Sequence, residues 1–236
     1  MTRVSIIIPT LNEENYIEKC LKSLLSQNFD SYEIIVVDGG SKDKTVSIAE
    51  EYADRVFVVE EDGIAFARLY GARKSKGKYI YTTDADCLSK NDSLIKNFYK
   101  ELDIRKRTVA ISGITKFTSL KGKLLQYWYY IYGRYISLIQ LGVISLNGQN
   151  SIIKTKPLLE CMKTNRKLPL FMDDNFFSMY LKKYGRIIHL TSDDFANYGD
   201  DRRVRNIPFA LKSLYRYAIG VEQLRKYGTV KIKMIR

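Results

Sequence analysis

Short β-branched runs recur along the first half of the chain, and stretches with the composition of helices separate them. The runs are VSIII (4–8), EIIVV (33–37), RVFVV (55–59), KYIYTT (78–83) and TVAIS (108–112). The predicted helices cover about 13–27, 43–53, 63–75 and 91–103. Strands that alternate with helices build βαβ units, and right-handed crossovers then place the strands in a mostly parallel sheet. The sequence therefore predicts a doubly wound α/β domain, with helices flanking the sheet, over about the first 115 residues.

The second half of the chain is less regular. It has an aromatic, nearly uncharged stretch at 121–146, strand-like runs at 150–154 and 186–190, and predicted helices at 173–184 and 207–227. The composition changes near residue 200. We therefore predict one domain over 1–200 and a basic, amphipathic, helical appendage over 201–236.

Composition limits the class of protein. The 236 residues are 45% hydrophobic, which suits one domain with enough core to fold alone. The three cysteines are far apart and form no C-x-x-C pair, so neither a structural zinc site nor a disulfide framework is predicted. The start, MTRVSIIIPT, lacks the long apolar core of a signal peptide, and we expect a cytoplasmic location.

Positive charge is concentrated at the end of the chain. The net charge is +13, and +9 of it lies between Arg202 and Arg236, where ten Lys or Arg accompany one acid, Glu222. A basic tail of this kind can bind nucleic acid, an anionic membrane or a phosphorylated substrate.

Polar or acidic residues follow three of the predicted strands. They are Pro9-Thr10-Leu11-Asn12-Glu13, Asp38-Gly39-Gly40-Ser41 and Asp84-Ala85-Asp86. Ligands of open α/β sheets bind outside the carboxyl ends of the strands, so these residues predict a site at that edge. The alternative is that the acids cap the helices that follow, which is less convincing for three strand ends together.

Asp84 and Asp86 are the strongest candidates for metal ligands. In an extended segment, residues two apart point in the same direction, so the two carboxylates would face one cation. Carboxylates favour Mg²⁺ or Mn²⁺, which commonly share their ligand shell with substrate phosphates. The first turn, PTLNEEN, has neither a G-x-G-x-x-G motif nor a P-loop. We therefore predict a metal that neutralises a nucleotide diphosphate, with Asp38 contacting the base or ribose.

Four motifs, in this order and spacing, resemble the family-2 glycosyltransferases of GT-A fold. They are SIIIPTLNEE, IIVVDGGSKDKT, ARLYGARKSKGKYIYTTDAD and MDDNFF, and the resemblance covers roughly 3–190. It implies a GT-A fold with a nucleotide-binding half (1–115) and an acceptor half (116–200). It also implies an enzyme that transfers a sugar from a UDP- or GDP-sugar to an acceptor, with inversion and with Mn²⁺ or Mg²⁺ as cofactor.

The resemblance also implies residue roles. Asp86 and Asp84 would bind the metal, and Asp173 and Asp174 would be catalytic, with Asp174 as the general base. The nucleotide would contact Pro9, Thr10, Asn12, Glu13, Asp38, Arg68, Asp84, Ala85, Arg202 and Arg203. Two positions depart from the family pattern, because Leu69 replaces the usual Asn and Asp173 replaces the usual Glu. His189 has two interpretations: a third metal ligand, as in some GT-A enzymes, or a packed or strand-edge histidine.

The chemistry agrees with these roles. Inverting glycosyl transfer needs a base for the acceptor hydroxyl and positive charge for the departing diphosphate.

Two other functions stay open. A sugar-phosphate nucleotidyltransferase usually has a glycine-rich first turn with an arginine, which is missing here. A nucleic-acid-binding protein would explain the basic tail but not the acids at the strand ends, so we expect no nucleic-acid partner.

Two segments suggest contact with a membrane. Residues 124–146 contain five tyrosines, one tryptophan and one charge, which is typical of a membrane interface. Ile207, Leu211, Leu214, Ala218, Val221 and Leu224 form one helical stripe among basic residues. We predict a peripheral protein on an anionic surface with a lipid-linked acceptor. The alternatives are a spanning or buried helix at 124–146 and a C-terminal helix packed on its own domain.

Overall fold

The computed structural model describes residues 2–60, 63–119, 123, 137–163, 173–200, 215 and 219–226. Its strands are β1 (Val4–Thr10), β2 (Tyr32–Asp38), β3 (Arg55–Val58), β4 (Tyr79–Thr82), β5 (Cys87–Leu88), β6 (Thr108–Ser112), β7 (Ile114–Lys116), β8 (Ser151–Lys154), β9 (Arg186–His189) and β10 (Ala196–Gly199). Its helices are α1 (Ile17–Leu25), α2 (Thr45–Tyr52), α3 (Ile64–Lys74), α4 (Leu94–Ile104), α5 (Thr155–Lys163) and α6 (Asp173–Leu181). Residues 137–141 and 219–226 are also helical.

The main sheet is mostly parallel, as predicted. Among the described residues it has seven strands, in the order β3-β2-β1-β4-β8-β6-β9. Helices α1, α2 and α3 provide the connections between its first four parallel strands. Strand β8 is the exception, because it runs antiparallel to both β4 and β6. The start of β8 therefore lies at the same edge of the sheet as the carboxyl ends of β4 and β6.

Both faces of the sheet are buried, which explains why its strands are continuous β-branched runs. Ile7, Ile35 and Val37 pack on one face with residues of α3 and α6. Ile6 and Ile8 belong to the cluster on the other face, which includes residues of α1 and α4. The alternation of side chains along each strand thus divides the core into two layers around the sheet.

A second, smaller sheet was not predicted. Strands β5, β10 and β7 form it in that order, and each is two to four residues long. Such short strands have no periodicity that a sequence pattern could reveal. Helix α5 was not predicted either. The small sheet pairs Cys87 with Gly199, so it ties the segment after β4 to the segment after β9.

The described part of the C-terminal segment packs against the domain. Val221 and Leu224 are buried in the same cluster as Ile7 and Phe177, whereas Arg225 is exposed. The other four members of the predicted stripe lie outside the described residues. No helix in the described part of the chain is long and apolar enough to span a bilayer, and residues 124–136 are not described.

Gly113, between β6 and β7, generates a stability prediction. A Cβ here would lie 2.7 Å from Asn150 Nδ2 and 2.8 Å from Phe98 Cζ, and it would overlap the carbonyl oxygen of Phe195. Gly113→Ala should therefore lower the free energy of unfolding by about 1–3 kcal/mol, the usual effect of overpacking. Urea denaturation followed by circular dichroism measures the change.

Gly39→Ala is the matched control for this substitution. Its Cβ would meet nothing closer than 3.7 Å, at the carbonyl oxygen of Thr10. Its unfolding free energy should stay within about 0.5 kcal/mol of the unsubstituted protein. Equal stabilities for the two variants would contradict the packing described around Gly113.

Candidate active site

The loops after β1 and β2 are joined by hydrogen bonds between their side chains and backbones. Asn12 adopts a φ of 55°, a left-handed conformation that asparagine tolerates better than most residues. Its N–H donates to Ser41 Oγ at 2.7 Å, and its Oδ1 accepts from the N–H of Lys42 at 2.8 Å. The N–H of Glu13 donates to Thr45 Oγ1 at 2.7 Å. Parallel pairing of β1 and β2 brings these two predicted motifs together at one edge.

Asp38 is buried and organises its own loop. Its carboxylate accepts from Thr10 Oγ1 at 2.8 Å and from the N–H groups of Gly40 at 2.9 Å and Ser41 at 2.7 Å. Gly40 has a φ of 84°, which allows the backbone to turn back toward the carboxylate. The structure thus gives Asp38 a structural role, and its contact with a nucleotide base stays a prediction.

Asp84 and Asp86 lie in a turn, so the expectation of an extended segment was wrong. The N–H of Cys87 donates to the carbonyl of Asp84 at 3.1 Å, which closes a turn through the buried Ala85 and Asp86. The carbonyl of Asp86 accepts from the N–H of Asp200 at 3.0 Å. The turn and the small sheet, rather than strand alternation, set where the two carboxylates lie.

The chemistry of this turn fits a divalent metal. Two carboxylates stand close together in sequence at the carboxyl end of β4, and Mg²⁺ commonly takes one or two carboxylates and completes its shell with phosphates and water. Within the described residues, no three His, Cys, Asp or Glu side chains gather into a metal-binding group. His189 ends strand β9, where it pairs with Ser112 of β6.

Arg68, on α3, lies between two groups of acids. Its side chain is 3% exposed. Nη2 donates to Asp84 Oδ1 at 2.6 Å, and Nη1 donates to Asp173 Oδ2 and lies 3.8 Å from Asp174 Oδ1. This guanidinium therefore connects the acid that follows β4 with the acids that begin α6. Its contact with a nucleotide stays a prediction.

Asp173 and Asp174, which begin α6, have different surroundings. The side chain of Asp173 is 4% exposed and that of Asp174 is 37% exposed. The N–H of Gly148 donates to Asp174 Oδ2 at 3.3 Å. Packing against the protein interior, together with the negative charge of Asp173, raises the pKa of Asp174, and the charge of Arg68 only partly offsets this. A carboxylate with a raised pKa accepts a proton more readily, as a general base must.

The segment 147–150, Asn-Gly-Gln-Asn, belongs to the site and was missed in the sequence. Gln149 Nε2 donates to Asp84 Oδ2 at 3.0 Å, so this segment contacts both groups of acids. Gly148 is required for the approach, because a Cβ there would lie 2.9 Å from Arg68 Cζ. Asn197 Nδ2 holds the carbonyl of Gln149 at 2.6 Å. The available signal was a polar run directly before a buried strand.

The structure brings most of the predicted residues to one edge of the sheet. Pro9 and Thr10 end β1, Asp38 ends β2, and Asn12 and Glu13 lie in the loop after β1. Arg68 joins the segment after β4 to the start of α6. Arg202 and Arg203 lie outside the described residues, as does Met172, the first residue of the MDDNFF motif.

Comparisons with known proteins identify the family and the fold of the chain. The family model described as glycosyl transferase family 2 matches residues 5–159. The glycosyltransferase GlyA of Streptococcus pneumoniae is 28% identical over 136 residues, which are 56% of this chain and 19% of GlyA. The chain thus spans about a fifth of that relative's length.

Two solved structures share the fold. One is a mannosyltransferase from Pyrobaculum calidifontis in complex with GDP-Man and Mn²⁺, with a TM-score of 0.66, 21% identity, and coverage of 91% of this chain and 61% of that one. The other is residues 1–349 of Staphylococcus aureus TarS in complex with UDP-GlcNAc, with a TM-score of 0.65, 22% identity, and coverage of 98% and 68%. The predicted GT-A fold is confirmed. The chain belongs to glycosyl transferase family 2.

Proposed function

We propose that the protein is a metal-dependent glycosyltransferase that moves a sugar from a UDP- or GDP-sugar to an acceptor hydroxyl, with inversion. The observation that carries this proposal is the pair of acid groups that Arg68 joins at the carboxyl edge of the sheet. One group, Asp84 with Asp86, suits a metal and a diphosphate, and the other, with Asp174, suits an acceptor. Such a site holds the two reactants of a transfer side by side.

The donor would occupy the loops after β1, β2 and β4. The proposed nucleotide contacts are Pro9, Thr10, Asn12, Glu13, Asp38, Asp84, Ala85, Arg202 and Arg203. Hydrogen bonds already hold the first two of these loops together, so they present a rigid surface to a ligand. The mannosyltransferase and TarS, which share the fold, were solved with GDP-Man and UDP-GlcNAc, and both donor classes therefore stay in the proposal.

Asp86 and Asp84 would hold a Mn²⁺ or Mg²⁺ ion together with the diphosphate of the donor. The ion would supply positive charge that stabilises the departing nucleoside diphosphate. Arg202 and Arg203 would add positive charge on the same side. The Mn²⁺ in the mannosyltransferase structure supports a divalent metal for this fold.

Asp174 would act as the general base. Its carboxylate takes the proton of the acceptor hydroxyl while the hydroxyl oxygen bonds to the anomeric carbon of the sugar. The bond between that carbon and the diphosphate oxygen breaks, and the nucleoside diphosphate leaves with the electron pair. Asp174 is the more exposed of the two acids, so it is the one that an acceptor can reach.

The acceptor that we propose is lipid-linked and meets the enzyme at an anionic membrane surface. Exposed apolar and aromatic residues near the aromatic stretch and in the C-terminal segment support this: Ile139 is 70% exposed and Tyr215 is 69% exposed. Val221 and Leu224 of the apolar stripe do not contribute to membrane contact, because both side chains are buried in the protein. The contact would depend instead on the exposed aromatic and basic residues.

A hydrolysis screen tests the proposed function. The protein is incubated with UDP- and GDP-sugars in the presence of Mn²⁺, and free nucleotide is measured. Water replaces the acceptor in this assay, so the acceptor need not be known. We expect one donor class to release nucleotide only when the metal is present. No release from any donor, and no stabilisation by UDP or GDP with Mn²⁺, would contradict the proposal.

Asp86→Ala should abolish metal-dependent nucleotide binding while the protein still folds, because one of the two proposed metal ligands is lost. Isothermal titration with UDP or GDP, with and without Mn²⁺, measures this change. Asp92→Ala is the control, since Asp92 is an exposed acid close to the same turn. Wild-type turnover by Asp86→Ala in excess Mn²⁺ would show that Asp86 is not a metal ligand.

Asp174→Asn should preserve donor binding and lower turnover by roughly 10²- to 10⁴-fold, the range for loss of a general base. The raised pKa of Asp174 also predicts a pH dependence. The base works only when it is ionised, so wild-type turnover should fall as the pH decreases through this raised pKa. That acidic limb should be missing from the residual activity of the variant.

The exposed Asp193 provides the control for this prediction, because Asp193→Asn removes a carboxylate that pairs with Lys116 outside the site. It should leave both turnover and the pH profile unchanged. If Asp174→Asn loses donor affinity instead of turnover, Asp174 belongs to the nucleotide site and the assignment of the base is wrong.

Flotation with anionic vesicles tests the membrane proposal. The 236-residue chain should float at low salt and be released at high salt. Replacing the exposed Arg225 and Lys226 by Gln should weaken binding by about 1 kcal/mol for each charge. Replacing the exposed Arg73 and Lys76 by Gln removes the same charge elsewhere and should have little effect. Protein that stays unbound at low salt would rule out the membrane proposal and favour a soluble acceptor.

A further inference from the structure

Arg68 does not have the accessible side chain expected of a ligand-binding arginine. A nucleotide-binding arginine keeps its guanidinium accessible to an incoming phosphate or base. Here the side chain is 3% exposed, and both terminal nitrogens already donate to carboxylates, Nη2 to Asp84 and Nη1 to Asp173. Gly148 packs over the same guanidinium so closely that a Cβ would overlap it.

Arg68 also makes the two consecutive acids of α6 unequal. It bonds directly to Asp173, whose side chain is 4% exposed, while Asp174 Oδ1 stands 3.8 Å from Nη1 and its side chain is 37% exposed. Charge-assisted bonds of this kind are strong and fix geometry. The contact with Arg68 therefore holds Asp173 in the interior and leaves Asp174 at the surface of the site.

The same guanidinium reaches the donor side of the site. Its bond to Asp84 Oδ1 is 2.6 Å long, and Gln149 holds the other oxygen of Asp84 at 3.0 Å. Gly148, the neighbour of Gln149, donates to Asp174. Two separate paths, one through Arg68 and one through the 148–149 backbone, thus connect Asp84 with the start of α6.

We propose that Arg68 is the positioning residue of this site. It anchors Asp173 and so leaves Asp174 to receive the proton of the acceptor. It also keeps Asp174 at a fixed position relative to Asp84. The inference rests on the proposed function, and it replaces the nucleotide contact that the family resemblance implies for Arg68. Correct placement of the base matters, because a displacement of 1 Å can lower a rate by about 10²-fold.

Arg68→Gln tests the proposal in the donor-hydrolysis assay. We expect kcat to fall by about 10- to 10²-fold, because Asp173 and Asp174 are no longer held in place. Binding of UDP or GDP with Mn²⁺ should stay close to wild type, because Gln149 still donates to Asp84 in this variant. The acidic limb of kcat should move up by about one pH unit or more, since loss of a nearby cation raises the pKa of a carboxyl group.

The ion pair between Arg55 and Glu33 supplies the matched control. Arg55 Nη2 lies 2.5 Å from Glu33 Oε2, and the pair joins β2 and β3. Arg55→Gln should lower stability while kcat and the pH profile stay unchanged. This comparison separates a role in positioning the base from a general loss of a partly buried ion pair.

If Arg68→Gln does not fold, the double variant Arg68→Gln/Asp173→Asn provides the test. It removes the Asp173 carboxylate together with its cation, so neither is left buried without its partner. Its acidic limb should return toward that of the wild type, since one charge of each sign has been removed beside Asp174. Its kcat should stay low, because Arg68 no longer holds the start of α6, and so Asp174, in place. A wild-type kcat in this variant would overturn the proposal.

Two further outcomes would overturn the proposal. One is a folded Arg68→Gln variant with an unchanged kcat and acidic limb. The other is a loss of nucleotide affinity with a wild-type kcat at saturating donor, which would make Arg68 a nucleotide contact. Failure of the proposed function is recognised separately, because the unsubstituted protein would then release no nucleotide from any UDP- or GDP-sugar.

Discussion

The buried guanidinium of Arg68 is the interaction on which the site depends. A buried cation is costly unless it is paired and hydrogen-bonded, and removing one partner of such a pair costs about 3–5 kcal/mol. Asp84 and Asp173 are those partners, and they come from segments 89 positions apart in the sequence. Because Arg68 pairs with both carboxylates, it brings the turn after β4 and the start of α6 together. The charges that organise the fold at this point are therefore also the charges of the proposed reaction.

The rest of the fold supports this contact by placing α3 close to the sheet. Gly71 lies one helical turn after Arg68, and a Cβ there would be 3.1 Å from Ile7 Cδ1 and 3.2 Å from Val37 Cγ2. The missing side chain lets α3 approach β1 and β2, so that Arg68 reaches the ends of the strands. On the opposite side, Gly148 leaves space for the guanidinium. Two glycines thus set the depth at which the cation lies.

The sequence predicted the parallel half of the fold well because each of its strands is a continuous apolar run that both faces of the sheet bury. Positions at the ends of strands pointed to Asp38 and Asp84, whereas Asp174 came from the family resemblance of MDDNFF. The sequence missed the small sheet and the segment 147–150, since two- to four-residue strands and a polar loop have no periodicity. The sequence also predicted an extended Asp84–Asp86 segment. This was wrong because the turn there depends on the pairing of β5 with β10, which is distant in sequence.

A crystal structure with Mn²⁺ and a nucleoside diphosphate, with anomalous data collected at the manganese edge, would test the proposed site. We expect a manganese peak beside Asp86 at the carboxyl end of β4, close to the diphosphate. We also expect Arg68 still to bond to Asp173, with Asp174 open to the acceptor side. A manganese peak away from β4, or an Arg68 side chain that has left Asp173 to contact the nucleotide, would contradict the proposal.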